Sequence, residues 1–313
     1  MEKASLMAKL SKLSYLKFEK SDIELKDELL KLGFSLEALF IDFDVEKGTG
    51  TQAFMAANLN FRTIVFRGTE NDGFDILTDL KAVPKEIDGG RVHSGFWLAY
   101  KSIEPEVEKA LKDKDNLPLI VAGHSLGGAL AMISALRLGS EVSEIYTFGA
   151  PAIATIGVMR RIEAPIYRFV NSGDIVPRVM KVGPFFVYVV IGIVRAVEWF
   201  VFKVFKKQIN GFDDLVDFLK ALKPVLRNYK HISKSLIIQG GQVSEIDSEL
   251  ASWRIFENVI KDSLEAAIED HRIALYVDLV SSISFDETQM DRSNNGSYES
   301  KAIEDSSSYD RQL

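Results

Sequence analysis

Residues 118–138 constrain this chain more than any other stretch. Pro118-Leu119-Ile120-Val121-Ala122 is an apolar run of strand length, and the pattern over residues 126–138 is helical. Only Gly123-His124-Ser125 stand between them. The chain must turn from strand to helix within a few residues, which forces strained backbone angles on Ser125. Gly123, Gly127 and Gly128 remove the Cβ atoms that would collide across so tight a turn. The serine hydroxyl is expected to stand exposed above a strand end. The helix N-terminus behind it favours developing negative charge. This is the G-x-S-x-G pattern in the strand–turn–helix setting that gives it chemical meaning. The bland alternative is a set of small residues that only lets a helix pack closely on a strand.

Further strand-like segments at 61–67, 144–148 and 165–170 alternate with helical patterns, notably at 100–112. Such alternation predicts an α/β fold, with a mostly parallel central sheet flanked by helices on both faces. Residues 1–40 read as two helical stretches, one carrying Leu6, Leu10 and Leu13, the other Leu29, Leu30 and Phe34. A late strand is expected at 234–239 and a helix at 248–270. Residues 286–313 are rich in Ser, Asn and Asp and poor in apolar residues, so a disordered tail is expected there. The main domain is accordingly set at 1–285.

Composition narrows the chemistry. A chain of 313 residues, 47% hydrophobic and 27% charged, is a globular one with room for one large α/β domain or two ordinary ones. Its net charge of −7 gives nucleic acid no electrostatic reason to bind. There is no cysteine, which excludes disulfides, thiolate metal sites and cysteine nucleophiles together. The sequence suggests no cofactor and no metal cluster. Charged residues interrupt the N-terminus every few positions, so no signal peptide is evident. A cytoplasmic or peripherally membrane-associated location is the matching expectation.

A serine nucleophile needs a base, an acid to orient it and donors for the oxyanion. Four histidines exist: His93, His124, His231 and His271. In folds of this order the base follows the serine, which leaves His231 and His271. The acid candidate is Asp174, in Asn171-Ser172-Gly173-Asp174 directly after the strand ending at Val170. A carboxylate there faces the same sheet edge as the serine turn. One oxyanion donor should be the N–H of Leu126; the other should come from the loop Gly68-Thr69 after an earlier strand.

At this point the residues resemble the class 3 (fungal-type) lipases of the α/β-hydrolase fold. Val65-Phe66-Arg67-Gly68-Thr69, followed by Asp75 and Thr78-Asp79-Leu80, is similar to that family's FRGT oxyanion motif and its D-x-x-x-D-L run. Val92-His93-Ser94-Gly95-Phe96 resembles its HxGF motif, and Gly123 to Gly128 its GHSLGG. Thr147-Phe148-Gly149-Ala150-Pro151 and residues 173–178 resemble its TFGxP and DxVPR segments. Asp270-His271 with Tyr276 is similar to its DHxxxY, and Tyr229-Lys230-His231 to a structural histidine before a late strand. The resemblance runs over roughly residues 8–280. It implies Ser125 as nucleophile, His271 as base and Asp174 as acid, with Thr69 and Leu126 as oxyanion donors. His231 stands as runner-up base, and His93 as structural. The implied substrate is a lipid ester.

One segment departs from that pattern. About fifty residues, 179–228, stand where the family has a short connection. Residues 182–194 carry no charge, and aromatic and β-branched residues continue to Phe205 past Arg195, Glu198 and Lys203. Over 175–230 there are ten Lys or Arg against four Asp or Glu, a local net of +6 that leaves −13 on the rest. A spanning helix, a buried helical lid and a shallow membrane-inserting excursion are the three readings. The last two are compatible, and imply peripheral contact with a membrane or lipid droplet. The family keeps its lid at a position matching 70–82, so two covering elements are expected. The function classes that follow are a lipase or acylglycerol lipase with phospholipase A1 activity, a soluble esterase or thioesterase, and a catalytically silent scaffold.

Overall fold

The computed structural model describes residues 2–44, 49–68, 84–112, 117–174, 176–178, 229, 231, 235–239, 242–246 and 269–282. Helices α1 (Glu2–Leu13) and α2 (Ile23–Lys31) lead into strands β1 (Ser35–Asp44), β2 (Thr49–Ala57) and β3 (Arg62–Phe66). A small hairpin, β4 (Pro84–Ile87) with β5 (Gly90–His93), precedes the long helix α3 (Ser94–Lys112). Next come β6 (Leu119–His124), α4 (Leu126–Leu138), β7 (Val142–Phe148), the short α5 (Ile156–Met159) and β8 (Ile166–Asn171). Strands β9 (Ser235–Gln239) and β10 (Gln242–Ile246) and helix α6 (Ile273–Ser282) complete the described elements.

Eight strands form one sheet in the order β1-β2-β3-β6-β7-β8-β9-β10. The block β3-β6-β7-β8-β9 is parallel throughout, while β1, β2 and β10 add antiparallel edges. This is the mostly parallel, helix-covered α/β arrangement that the alternation predicts. A parallel sheet must be buried on both faces, and the side chains of β3 divide accordingly. Ile64 and Phe66 join the core beneath α3 and α4, whereas Val65 joins the core beneath α1, α2 and α6. In β6, Leu119 and Val121 likewise take the first side and Ile120 and Ala122 the second. Helix α4, apolar on nearly every side, is buried from Leu126 to Ala135.

Two helical expectations change. Residues 35–40 belong to β1 and not to an N-terminal helix. Gly33, at φ +79°, ends α2 as a left-handed cap, and the run that follows pairs antiparallel with β2. Helix α3 also starts six residues before the expected 100, at the serine after His93. The expected helix at 248–270 lies outside the described residues apart from its last two positions. The segments 70–82, 179–228 and 286–313 lie outside them altogether.

The N-terminal turn after α1 is fixed to the sheet by one buried cation. Arg67, directly after β3, donates to the carbonyls of Ser14 and Leu16 and to the side chain of Gln52, and pairs with Glu19 at 3.2 Å. Its guanidinium also lies 4.7 Å over the Phe18 ring. A planar five-donor fork suits this set of acceptors, as a lysine could not. The same end of the chain is tied to β7 and to α6: Lys3 pairs with Glu144 at 2.6 Å, and Ser5 meets Ser281 of α6 at 2.8 Å.

Candidate active site

The turn between β6 and α4 is as tight as its glycines require. Ser125 adopts φ 56° and ψ −127°, the only positive φ at a non-glycine residue among those described. Its N–H donates to the carbonyl of Phe148 at the end of β7 (2.9 Å), and its carbonyl accepts from Gly128 N–H (3.0 Å) as α4 begins. A Cβ on Gly123 would stand 2.3 Å from the Gly127 carbonyl carbon, and one on Gly127 would stand 2.2 Å from the Phe66 oxygen. The serine hydroxyl does not cap the helix and makes no hydrogen bond among the described residues. Contrary to the expectation of an exposed hydroxyl, Ser125 is 1% exposed. The elbow is formed but closed.

Asp174 and His271 meet directly, His271 Nδ1 lying 2.7 Å from Asp174 Oδ2. The aspartate is completely buried, and its charge is met by several donors. Tyr276 O–H donates to Oδ2 at 2.6 Å, and Val176 N–H donates to Oδ1 at 2.9 Å. Tyr276 in turn accepts from Asn171 N–H at 2.9 Å. The Asn171 side-chain amide donates to the Asp270 carbonyl at 2.9 Å, and Gly173 packs so closely on Asp270 that a Cβ would overlap its carboxylate. The turn bearing the acid and the turn bearing the histidine are thus joined along their length. Gly149, at φ +61°, makes room for them: a Cβ there would come 2.7 Å from Asp174 Oδ2 and 3.0 Å from His271 Nδ1. His271 Nε2 is buried and makes no hydrogen bond among the described residues. Such bonds are often long or misaligned before substrate binds.

The residue before the serine links the two halves. His124 Nε2 lies 2.6 Å from the carbonyl oxygen of His271, and the two imidazoles are 4.7 Å apart between centroids. Burial, and secondarily the neighbouring His271, hold the His124 pKa well below the usual histidine range. A neutral ring is therefore kept next to the paired histidine.

Of the sequence-derived candidates, Ser125, Leu126, Asp174 and His271 gather at the C-terminal edge of the parallel strands. Leu126 opens α4 there, so its N–H belongs to the first-turn donors that no helical carbonyl serves. Thr69 lies outside the described residues. Its neighbour Gly68 abuts the elbow, where an added Cβ would sit 3.3 Å from that of Ser125. His231 is placed elsewhere, with Nε2 3.3 Å from the carbonyl of Pro177. His93 is buried against Phe96 and near Tyr229, and its Nδ1 accepts from Phe96 N–H. Tyr276 enters the sequence reading only as part of the motif around His271, with no role of its own, although its hydroxyl holds Asp174. Its position five residues after His271, about one turn into α6, was the available signal.

A family model described as lipase (class 3) matches residues 63–183. That stretch holds the elbow, the acid turn and the strand before Gly68. Over residues 63–183 this chain is similar to the class 3 lipases. A lipase of Rhizopus niveus is 32% identical over 133 residues, covering 37% of this chain and 34% of that protein. A secreted mono- and diacylglycerol lipase A of Penicillium camembertii is 27% identical over 161 residues, covering 47% and 53% respectively. The chain thus spans only about a third to a half of the length of these relatives. Among solved structures, the Rhizomucor miehei triacylglyceride lipase superposes with TM-score 0.58 at 20% identity, over 86% of this chain and 92% of that one. That likeness shows the shared α/β-hydrolase fold.

The depressed His124 pKa has a stability consequence with a definite sign. The unfolded chain takes up this proton near pH 6.5 while the folded protein does not, so stability falls as pH drops below about 6.5. His124→Gln removes the titration. Between pH 7.5 and pH 5.0, wild type should lose more stability than the variant by urea unfolding. Equal acid sensitivity in both proteins would contradict a neutral His124.

Proposed function

We propose that this protein is a serine carboxylester hydrolase acting on lipid esters, with acylglycerols as the first substrate class and the sn-1 ester of phospholipids as a second. The observation that carries the reading is the 2.7 Å His271–Asp174 pair at the sheet edge where Ser125 is held in its strained turn. In this reading Ser125 Oγ attacks the ester carbonyl and His271 takes its proton at Nε2. Asp174 holds the Nδ1–H tautomer and stabilises the imidazolium that forms. The oxyanion is received by the N–H of Leu126, with Thr69 as the second donor. His271 then returns the proton to the leaving alcohol, and water releases the acyl group by the same route in reverse. Losing one oxyanion donor in such a site typically costs about 10²–10³ in turnover. The name of the Penicillium camembertii relative, a mono- and diacylglycerol lipase, supports an acylglycerol substrate.

The closed elbow bears on how substrate arrives. With Ser125 1% exposed, a lipid ester reaches it only once some covering element moves. The apolar, locally basic segment 179–228 is suited to an anionic lipid surface, and we place the peripheral membrane or lipid-droplet contact there.

Two measurements test this reading. His271→Ala should lower hydrolysis of a soluble ester by at least about 10³ in a folded protein, while His231→Ala leaves turnover within a few-fold. The reverse ranking would move the base to His231. Deleting residues 182–207 should reduce activity on vesicles or emulsified lipid far more than on a soluble short-chain ester. Equal losses on both would remove the interfacial role.

A further inference from the structure

We propose that Tyr15 is a positioning residue for this reaction: its hydroxyl fixes the tautomer of His124, and His124 holds the backbone of His271. The inference rests on the acyl-transfer reading above but concerns residues to which that reading gives no part. Tyr15 lies 109 positions before His124, in the turn after α1, and its hydroxyl is 2.8 Å from His124 Nδ1. The other ring nitrogen, Nε2, faces the His271 carbonyl at 2.6 Å. A carbonyl oxygen can only accept, so Nε2 carries the proton and Nδ1 presents its lone pair. Tyr15 O–H is then the donor, and the chain of bonds runs in one direction from Tyr15 through His124 to the backbone of the base.

Three features make this more than a chance contact. The backbone of Tyr15 is held in place, because Arg67 grips the carbonyls of the residues on either side of it, Ser14 and Leu16. The turn carrying His271 is held through two successive carbonyls. That of Asp270 accepts from Asn171 on the acid side, and that of His271 accepts from His124 on the serine side. The same hydroxyl also abuts Gly68, where a Cβ would come within 2.4 Å of it. One phenol therefore touches both the support of the base and the residue before Thr69. Were His124 to adopt the other tautomer, its Nε2 lone pair would face the His271 oxygen, and the turn would shift away from the serine.

Tyr15→Phe removes the hydroxyl and leaves the packing. With turnover of a soluble ester expressed per active site titrated by a fluorophosphonate, kcat should fall about tenfold, the worth of one hydrogen bond, while KM stays within twofold. In a His124→Leu background the same change should cost nothing further, because its route of action is gone. Histidine ¹⁵N NMR of the full chain should show His124 as the single Nε2–H tautomer, and as a mixture in Tyr15→Phe. The NMR result does not depend on catalysis, so it stands or falls apart from the acyl-transfer reading. Unchanged kcat per titrated site, an equal loss in the His124→Leu background, or a wild-type Nδ1–H tautomer would each overturn the proposal.

Discussion

The strained turn at Ser125 sets the terms for everything around it. A side chain held at φ 56° and ψ −127° sits in a region that costs of order 1–3 kcal/mol, and it persists only where the surroundings determine it. Here they do so from three sides. The Phe148 carbonyl takes its N–H, α4 begins on its carbonyl, and Gly123 and Gly127 let the two arms of the turn approach within distances no Cβ would allow. Gly127 further lets the end of β3 pass directly over the helix start, which brings Gly68 beside the serine. Relaxing the turn would move Ser125 and the adjoining loop together.

Asp174 and His271, the acid and base we propose, are organised by a different means, hydrogen bonding between two turns far apart in sequence. Asp174 is fully buried, and burying a carboxylate is costly unless its charge is met. His271, Tyr276 and Val176 meet it, and Tyr276 in turn reads the backbone of Asn171. The pair is fixed against the elbow because Gly149 has no side chain to keep it away. Charge, hydrogen bonding and space thus agree on one placement for the imidazole. The N-terminal helix pair, which an α/β sheet does not require, contributes to the same end through Arg67 and Tyr15.

Much of this was legible in the sequence because it is local. The elbow, α4 and strands β3, β6, β7 and β8 follow from short apolar runs and glycine spacing, and α4 has the expected bounds. Asp174 follows from its place after a strand. The choice between His231 and His271 could not be made from spacing alone and came from a resemblance; the structure sets His271, not His231, at hydrogen-bonding distance from Asp174 Oδ2. What remained hidden is non-local. No pattern near Tyr15 indicates a partner 109 residues away, and nothing in Leu36 to Phe40 outweighed the helical reading until β2 was there to pair with it. The closure over Ser125 was also missed, since a turn motif carries no information about what covers it.

The central claim is that Ser125 forms a covalent acyl intermediate. It is tested most directly by rapid quenching of the full-length protein with a soluble activated ester, followed by peptide mass mapping. The account predicts an acyl mass increment on the peptide bearing Ser125, formed at the turnover rate or faster and absent in Ser125→Ala. Ester turnover with no adduct on that peptide, or with the adduct on another residue, would contradict it.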